Sequence, residues 1–297
     1  MPELPEVETV RRTLEQLVTG KTIREVEVRL PRLIRRPDDA ALFASLLEGS
    51  TIRGVGRRGK YLRILLDGWT LVSHLRMEGR YGLYRTGDPE EKHTHVIFRF
   101  TDGTEMRYRD VRQFGTMHLF ERDRDLEEPP LNQLGLEPLD PAFTLQAFRG
   151  LVARRPTRIK PLLLDQRHIA GLGNIYVDEA LHRAGIHPER SAASLRAAEL
   201  ARLHEAIVAV LSEAVEAGGS SVKSYMNGQG EAGLFQLRLM AYGRDGEPCL
   251  RCGTTIVKTV VGGRGTHFCP VCQKPKRRGT RVGRSRTGKG ESGISPA

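Results

Sequence analysis

The chain of 297 residues has room for two or three domains, and no apolar run in it approaches the ~20 residues needed to cross a bilayer, which excludes a helical membrane protein. Lys and Arg number 47 against 36 Asp and Glu, a net charge of +11 that invites a nucleic-acid partner. Residues 274–297 alone hold eight Lys or Arg and one Glu, so +7 sits in that tail and only +4 in the remainder.

The chain opens Met1-Pro2-Glu3-Leu4-Pro5-Glu6. With Met1 trimmed, a step favoured by the small residue that follows it, Pro2 presents a secondary amine beside two carboxylates. An α-amino group has a pKa near ~7.7–8.0 against ~10.4 for lysine, so part of it is a free nucleophile at neutral pH. Attack by the proline nitrogen on a sugar C1′ gives an iminium ion, cationic without protonation and therefore an electron sink for eliminating a neighbouring phosphate. The same residues also suit an ordinary helix start, because proline in the first turn and glutamate near a helix N-terminus are favoured there. Val7, Val10, Leu14, Leu17 and Val18 follow at helical spacing.

Short apolar runs at 61–66, 71–77, 96–100, 105–108 and 116–120, broken at Gly68-Trp69 and Asp102-Gly103, predict an antiparallel sandwich or barrel. Two basic stretches lie in the body of the chain: Arg53, Arg57, Arg58, Lys60 and Arg63, then Arg149, Arg154, Arg155, Arg158 and Lys160. Each can be a phosphate-binding face or a solvated one. Residues 129–141 read as a linker, and helical periodicity follows at 143–152, 161–165, 175–184 and 195–217. Asn227-Gly228-Gln229-Gly230 marks a mobile connector.

All four cysteines fall within 24 residues, as Cys249-x2-Cys252, sixteen intervening residues, then Cys269-x2-Cys272. Two such turns offer four thiolates to one tetrahedral zinc ion, and the segment between them reads as a β-hairpin with its glycine-rich tip at 262–265. A pair of disulfides is the other reading. The absence of a signal-peptide pattern, with the reducing compartment that implies, favours the metal. Four protein ligands leave no open position, so the zinc is structural. The tail after Lys276 is Gly/Ser/Arg-rich with almost no apolar content and predicts disorder.

Several motifs taken together resemble the formamidopyrimidine-DNA glycosylase / endonuclease VIII family: residues 1–12, Arg58-Gly-Lys-Tyr-Leu62, His74-Leu-Arg-Met-Glu-Gly79, Arg109-Asp-Val-Arg-Gln-Phe-Gly115, Gly171-Leu-Gly-Asn-Ile-Tyr176 and the four cysteines. They run in order from residue 1 to about 274, and the opening Pro-Glu-Leu-Pro-Glu-Val-Glu favours the oxidised-purine branch. The resemblance implies an α+β multidomain fold: an antiparallel β-sandwich over 1–130, a helix-two-turns-helix DNA-binding domain over 131–235, a four-cysteine zinc finger over 236–274 and a disordered basic tail over 275–297. It implies a cytoplasmic, nucleoid-associated monomer acting on damaged double-stranded DNA in base-excision repair as both glycosylase and lyase at abasic sites.

Carried over residue by residue, Pro2 is the implied nucleophile, Glu3 the acid that assists sugar-ring opening, and Glu6 a support for the amine. Lys60 is implied in β-elimination, and Arg264 in δ-elimination and phosphate grip. His93, Arg112, Arg155 and Asn174 are implied DNA contacts. A glycosylase must extrude its nucleotide and plug the gap. Met77, Phe114 and Arg112 suit that task, since a thioether and a ring replace stacking and a guanidinium can pair with the orphaned base. Met77 and Phe114 can instead be core residues, although their charged neighbours are poor core context. Gly171 and Gly173 are expected to let the backbone turn so that Asn174 faces DNA. Gln113 stands where many relatives carry a second arginine, and the loop 226–236, which caps the extruded base in relatives, offers no residue assignable to reading the lesion. A zinc-stabilised protein that binds distorted duplex without cutting it is the rival reading, separated by trapping with borohydride.

Overall fold

The computed structural model of the chain describes residues 1–220 and 234–275. The connector 227–230, most of the loop 226–236 and the tail from 276 lie outside the described residues.

Helix α1 (Leu4–Val18) starts with Pro5 in its first turn and buries Val7, Val10, Leu14 and Val18 along one face. That face closes a sandwich of two sheets. One has the order β1 (Ile23–Val28), β7 (Thr94–Phe100), β8 (Thr104–Arg109), β6 (Arg80–Arg85). The other has the order β2 (Ile34–Arg36), β9 (Thr116–Glu121), β5 (Trp69–His74), β4 (Tyr61–Leu66), β3 (Ile52–Arg58). The sandwich departs from the antiparallel expectation at one pair, β2 with β9, which is parallel. In β4 burial alternates residue by residue, the period-2 pattern that places Leu62, Ile64 and Leu66 in the core. They meet Phe98, Phe100 and Met106 of the facing sheet, each buried side chain contributing ~1.5–3 kcal/mol. Strands β1, β2, β3 and β6 escape a reading based on apolar runs because charged residues interrupt them, and the short helix α2 (Ala40–Leu47) is not singled out by it either.

After the linker come α3 (Leu145–Val152), α4 (Ile159–Leu164), α5 (Asn174–Ala184) and α6 (Ala197–Glu216), which share a second core around Phe148, Leu163, Tyr176, Leu181, Leu203 and Ile207. Leu4 belongs to this helical core, whereas Val7, one turn later, belongs to the sandwich core. One helix thus spans both lobes, and its N-terminus lies in the seam between them.

Strands β10 (Val257–Val261) and β11 (Arg264–Phe268) form the C-terminal hairpin. Its tip is shorter than 262–265. Only Gly262 (φ 58) and Gly263 (φ 75) make the turn, the two positive φ values of a two-residue hairpin loop whose twist matches its strands, and Arg264 already belongs to β11.

Candidate active site

A cavity of about 340 Å³ opens at the seam, with Glu3, Lys60, Met77, Asn174 and Arg264 in its wall. Five residues drawn from both lobes and the hairpin therefore converge on one cavity. Met1 also lines the cavity, and Pro2, next to it in sequence, is buried.

Glu3 sits at the N-terminus of α5, where its Oε1 accepts the Ile175 N–H at 3.1 Å. Its other oxygen, Oε2, is buried with no hydrogen-bond partner among the described residues. Burial pushes the carboxyl up to about 7; Lys60 opposes this and the Glu6 carboxylate adds to it. A group with that pKa is partly protonated at neutral pH and can give or take a proton. Gly171 and Gly173 serve this segment rather than Asn174. A Cβ on Gly173 would lie 2.3 Å from Glu3 Oε1, and one on Gly171 (φ +90) would lie 2.6 Å from Leu4 Cδ1. The Gly171 carbonyl also accepts the Leu4 N–H at 3.1 Å.

Glu6 is fully engaged. It accepts the Glu3 N–H at 2.8 Å, the Ser220 N–H at 2.7 Å and hydroxyl at 3.0 Å, and the Tyr176 hydroxyl. Its role here is to brace the first turn of α1. Lys60, in the turn between β3 and β4, is buried, and burial lowers its pKa although Glu3 and Glu6 pull the other way. A lysine held down in this way has more of its neutral, basic form.

Arg264 is exposed at the start of β11. The residue after it is fixed from α4 and α5: the Gly265 carbonyl accepts Lys160 Nζ at 3.0 Å and Asn174 Nδ2 at 2.8 Å. The Asn174 amide thus ties the hairpin to α5. Lys160 also donates to Asp178 at 2.6 Å, and Asp178 accepts the His267 N–H at 2.9 Å. The four cysteine sulfurs lie within 4.8 Å of one another. A tetrahedral zinc ion with Zn–S bonds of ~2.3 Å holds its four sulfurs ~3.8 Å apart, inside that limit. The donor set fits one structural zinc, which closes the base of the hairpin.

Met77 lies past the end of β5, 37 % exposed, and Phe114 is 53 % exposed. Both stand outside the core, and the Arg112 guanidinium lies 5.1 Å from the Phe114 ring centroid. Val111, 41 % exposed on the same loop, is a further apolar residue of this surface that the motifs did not single out. Asp110 builds the loop: its carboxylate accepts the Arg112 N–H at 3.1 Å and the Gly115 N–H at 2.8 Å, and its N–H donates to the His93 carbonyl. His93 is half-buried beside it with φ 67.

The first basic stretch is largely neutralised and the second only in part. Arg53 pairs with Asp67, Arg57 with Glu8 and Glu137, Arg58 with Glu137, and Arg63 with Asp125. In the second stretch Arg158 pairs with Glu189, and Lys160 is wholly buried against Asp178. Arg155 is exposed, its guanidinium against the Leu151 carbonyl at 2.8 Å and His168 at 2.9 Å. Sequence reasoning missed Gln166, whose amide holds Leu164 O, Leu172 O and the Gly171 N–H and so shapes the loop under Glu3. Lone glutamines carry no signal for that.

Comparison with known proteins gives three profile matches along the chain: the formamidopyrimidine-DNA glycosylase N-terminal domain over residues 1–117, the formamidopyrimidine-DNA glycosylase H2TH domain over 134–226, and the zinc finger found in FPG and IleRS over 246–275. The formamidopyrimidine-DNA glycosylase of Brevibacillus brevis is 61% identical over 274 residues, 92% of this chain and 99% of that one. That of Halalkalibacterium halodurans is 62% identical, over 92% and 100%. Among solved structures, Lactococcus lactis Fpg with DNA containing an abasic site superposes with a TM-score of 0.86 at 44% identity, over 92% of this chain and all of that one. A point mutant of the same enzyme with DNA containing Fapy-dG gives a TM-score of 0.87 at the same identity and coverage.

Proposed function

The chain belongs to the formamidopyrimidine-DNA glycosylase family, and from that premise we propose that it excises oxidised purines, 8-oxoguanine and formamidopyrimidines, from duplex DNA and then cleaves the abasic strand. It acts as a monomer in base-excision repair. Glu3 carries this reading: a carboxyl raised to about 7, with one oxygen free of hydrogen bonds among the described residues, in the wall of a cavity and adjacent in sequence to a candidate amine nucleophile.

In the proposed reaction Met1 is removed and the Pro2 nitrogen, as the free base, attacks C1′ of an extruded nucleotide. The glycosidic bond breaks, and the damaged base leaves with its electron pair and takes up the proton that the Pro2 nitrogen sheds, which frees the nitrogen lone pair to form the iminium. Glu3 delivers its proton to O4′ as the sugar ring opens, and the iminium ion linking Pro2 to C1′ remains. Loss of a C2′ proton then expels the 3′ phosphate, a step suited to Lys60 with its lowered pKa. A second elimination expels the 5′ phosphate, with Arg264 neutralising charge on the leaving group. Met77, Arg112 and Phe114 fill the gap in the duplex, with His93, Arg155 and Asn174 on its backbone.

Borohydride added to the protein with an 8-oxoguanine duplex should trap a covalent adduct by reducing the iminium. Pro2→Gly should trap far less, and protein that retains Met1 should do likewise. Absence of adduct from the mature wild-type chain would sink the reading and leave a DNA-binding protein.

A further inference from the structure

Once the paired arginines of the N-terminal lobe are set aside, three unpaired ones gather at one edge. Arg32, Arg35 and Arg76 are exposed, and none has a carboxylate within 4.0 Å among the described residues. Arg32 lies in the short turn before β2, Arg35 is in β2, and Arg76 follows β5. Strand β9 runs between them, pairing Arg36 with His118 on one side and Val72 with His118 on the other. The His118 imidazole, pushed down to about 4 chiefly by burial, also feels Arg35, Arg36 and Arg76 together. Arg36 itself is spoken for: it pairs with Glu128 and stacks 4.6 Å from the Phe120 ring centroid.

This edge adjoins the plug loop. Strand β9 leaves that loop directly, and Arg32 donates to the side-chain oxygen of Gln113, the residue between Arg112 and Phe114. Gln113 holds φ 57, a left-handed conformation that a glutamine adopts at a cost. Like charges gathered without counter-ions repel one another, and a polyanion relieves that repulsion. Duplex DNA carries one charge per ~1.7 Å of axis and matches such an array.

We propose that Arg32, Arg35 and Arg76 form a second phosphate-binding edge that grips the sugar-phosphate backbone beside the plug, and that Arg32 also positions the plug loop through Gln113. The inference rests on the reading that the chain acts on duplex DNA.

The test is the salt dependence of affinity for an undamaged duplex, measured by fluorescence anisotropy at KCl concentrations from about 50 to about 300 mM, a readout that does not require the chain to cut. Combined replacement of Arg32, Arg35 and Arg76 by alanine should lower the slope of log K against log salt by about 0.9 for each phosphate no longer neutralised. Replacement of Arg24 and Arg85, exposed and equally unpaired on the other sheet, should leave it unchanged. An unchanged slope in the triple variant, or an equal drop in the control, overturns the phosphate edge. The positioning role reads out separately in single-turnover excision at saturating enzyme. Arg32→Ala should slow it and the control Arg24→Ala should not, while Arg32→Lys should restore the salt slope but not the rate, because an ammonium lacks the guanidinium fork. Equal rates for Arg32→Ala and Arg24→Ala overturn that role. Failure of the borohydride trap would sink the proposed reaction and leave the salt slopes interpretable.

Discussion

The Glu3 carboxylate occupies the space that a side chain at position 173 would fill: a Cβ built on Gly173 lies 2.2 Å from Glu3 Cδ and 2.6 Å from Oε2. Gly173 has an ordinary negative φ of -136, so its lack of a side chain, and not its backbone freedom, is what the fold uses. Gly173→Ala should therefore keep α5 and the helical core yet displace the carboxyl. A shift of about 1 Å in a catalytic group costs ~10²-fold, and single-turnover excision should fall by that order with duplex affinity nearly retained. Excision at the wild-type rate would show that the carboxyl is not needed where it lies.

Glu3 should also leave a mark on stability. Its folded pKa, about 7, lies above the ordinary 4.5. A raised pKa means that the folded state holds the proton more tightly than the unfolded one, so stability is fully present below pH 4.5 and is lost as pH rises through 7. Glu3→Gln removes the charge. The variant should match the wild type near pH 4.5 and exceed it at about pH 8, by on the order of 2–3 kcal/mol given ~1.4 kcal/mol per pKa unit. Denaturant melts at the two pH values measure this, and an equal difference at both would contradict the buried-acid assignment.

The same proton governs rate. Attack needs Pro2 as the free base, with an α-amino pKa near ~7.7–8.0, and ring opening needs Glu3 protonated, with a pKa of about 7. The acid loses its proton before the amine does, so the productive form is a minority species, and kcat/KM for excision should peak narrowly between about pH 7 and about pH 8. Glu3→Gln should abolish the falling limb along with most of the rate. On a preformed abasic site, where no base need leave, the falling limb should be weaker.

How much of this was legible in the sequence depends on range. The four cysteines, the apolar run that becomes β4 and the helical face of α6 are local patterns and survive in the structure. Remote partners are silent. Arg57 looked like part of a phosphate-binding run because nothing near it in sequence announces Glu137, and Lys160 looked solvated because Asp178 lies one helix further on. Likewise no pattern in α1 says that Leu4 and Val7 enter different cores, since both are simply apolar residues one turn apart. The free cations could be told from the neutralised ones only after the strands were paired.

Removal of zinc should act on the hairpin and spare the sandwich. Among the described residues, Cys249, Ile256 and Cys269, with Cys272 against them, make the apolar core of the zinc module, too little to hold β10 and β11 without metal. Chelation, or Cys269→Ser, should release Arg264 from the cavity wall and abolish tight duplex binding. The near-ultraviolet signal of Trp69, in β5 of the sandwich, should be unchanged. Loss of that signal together with binding would mean that the metal supports the whole fold.

Beneath the hairpin lies a buried ion pair whose two roles can be separated. Lys160 and Asp178 are 0 % and 1 % exposed and meet at 2.6 Å. Breaking a buried pair by removing one partner leaves an uncompensated charge and costs ~3–5 kcal/mol, whereas exchanging both for apolar residues of similar size is often neutral. Asp178→Leu alone should therefore destabilise the helical lobe strongly, and Lys160→Met with Asp178→Leu should recover most of that loss. Function should not recover with it. The pair also holds the Gly265 carbonyl and the His267 N–H, which set the register of β11 under Arg264, and an apolar pair makes neither hydrogen bond. The double variant should fold, bind zinc and still grip the lesion phosphates poorly, seen as a raised Kd for an abasic-analogue duplex. A double variant with native affinity would reduce the pair to a stabilising element with no part in placing Arg264.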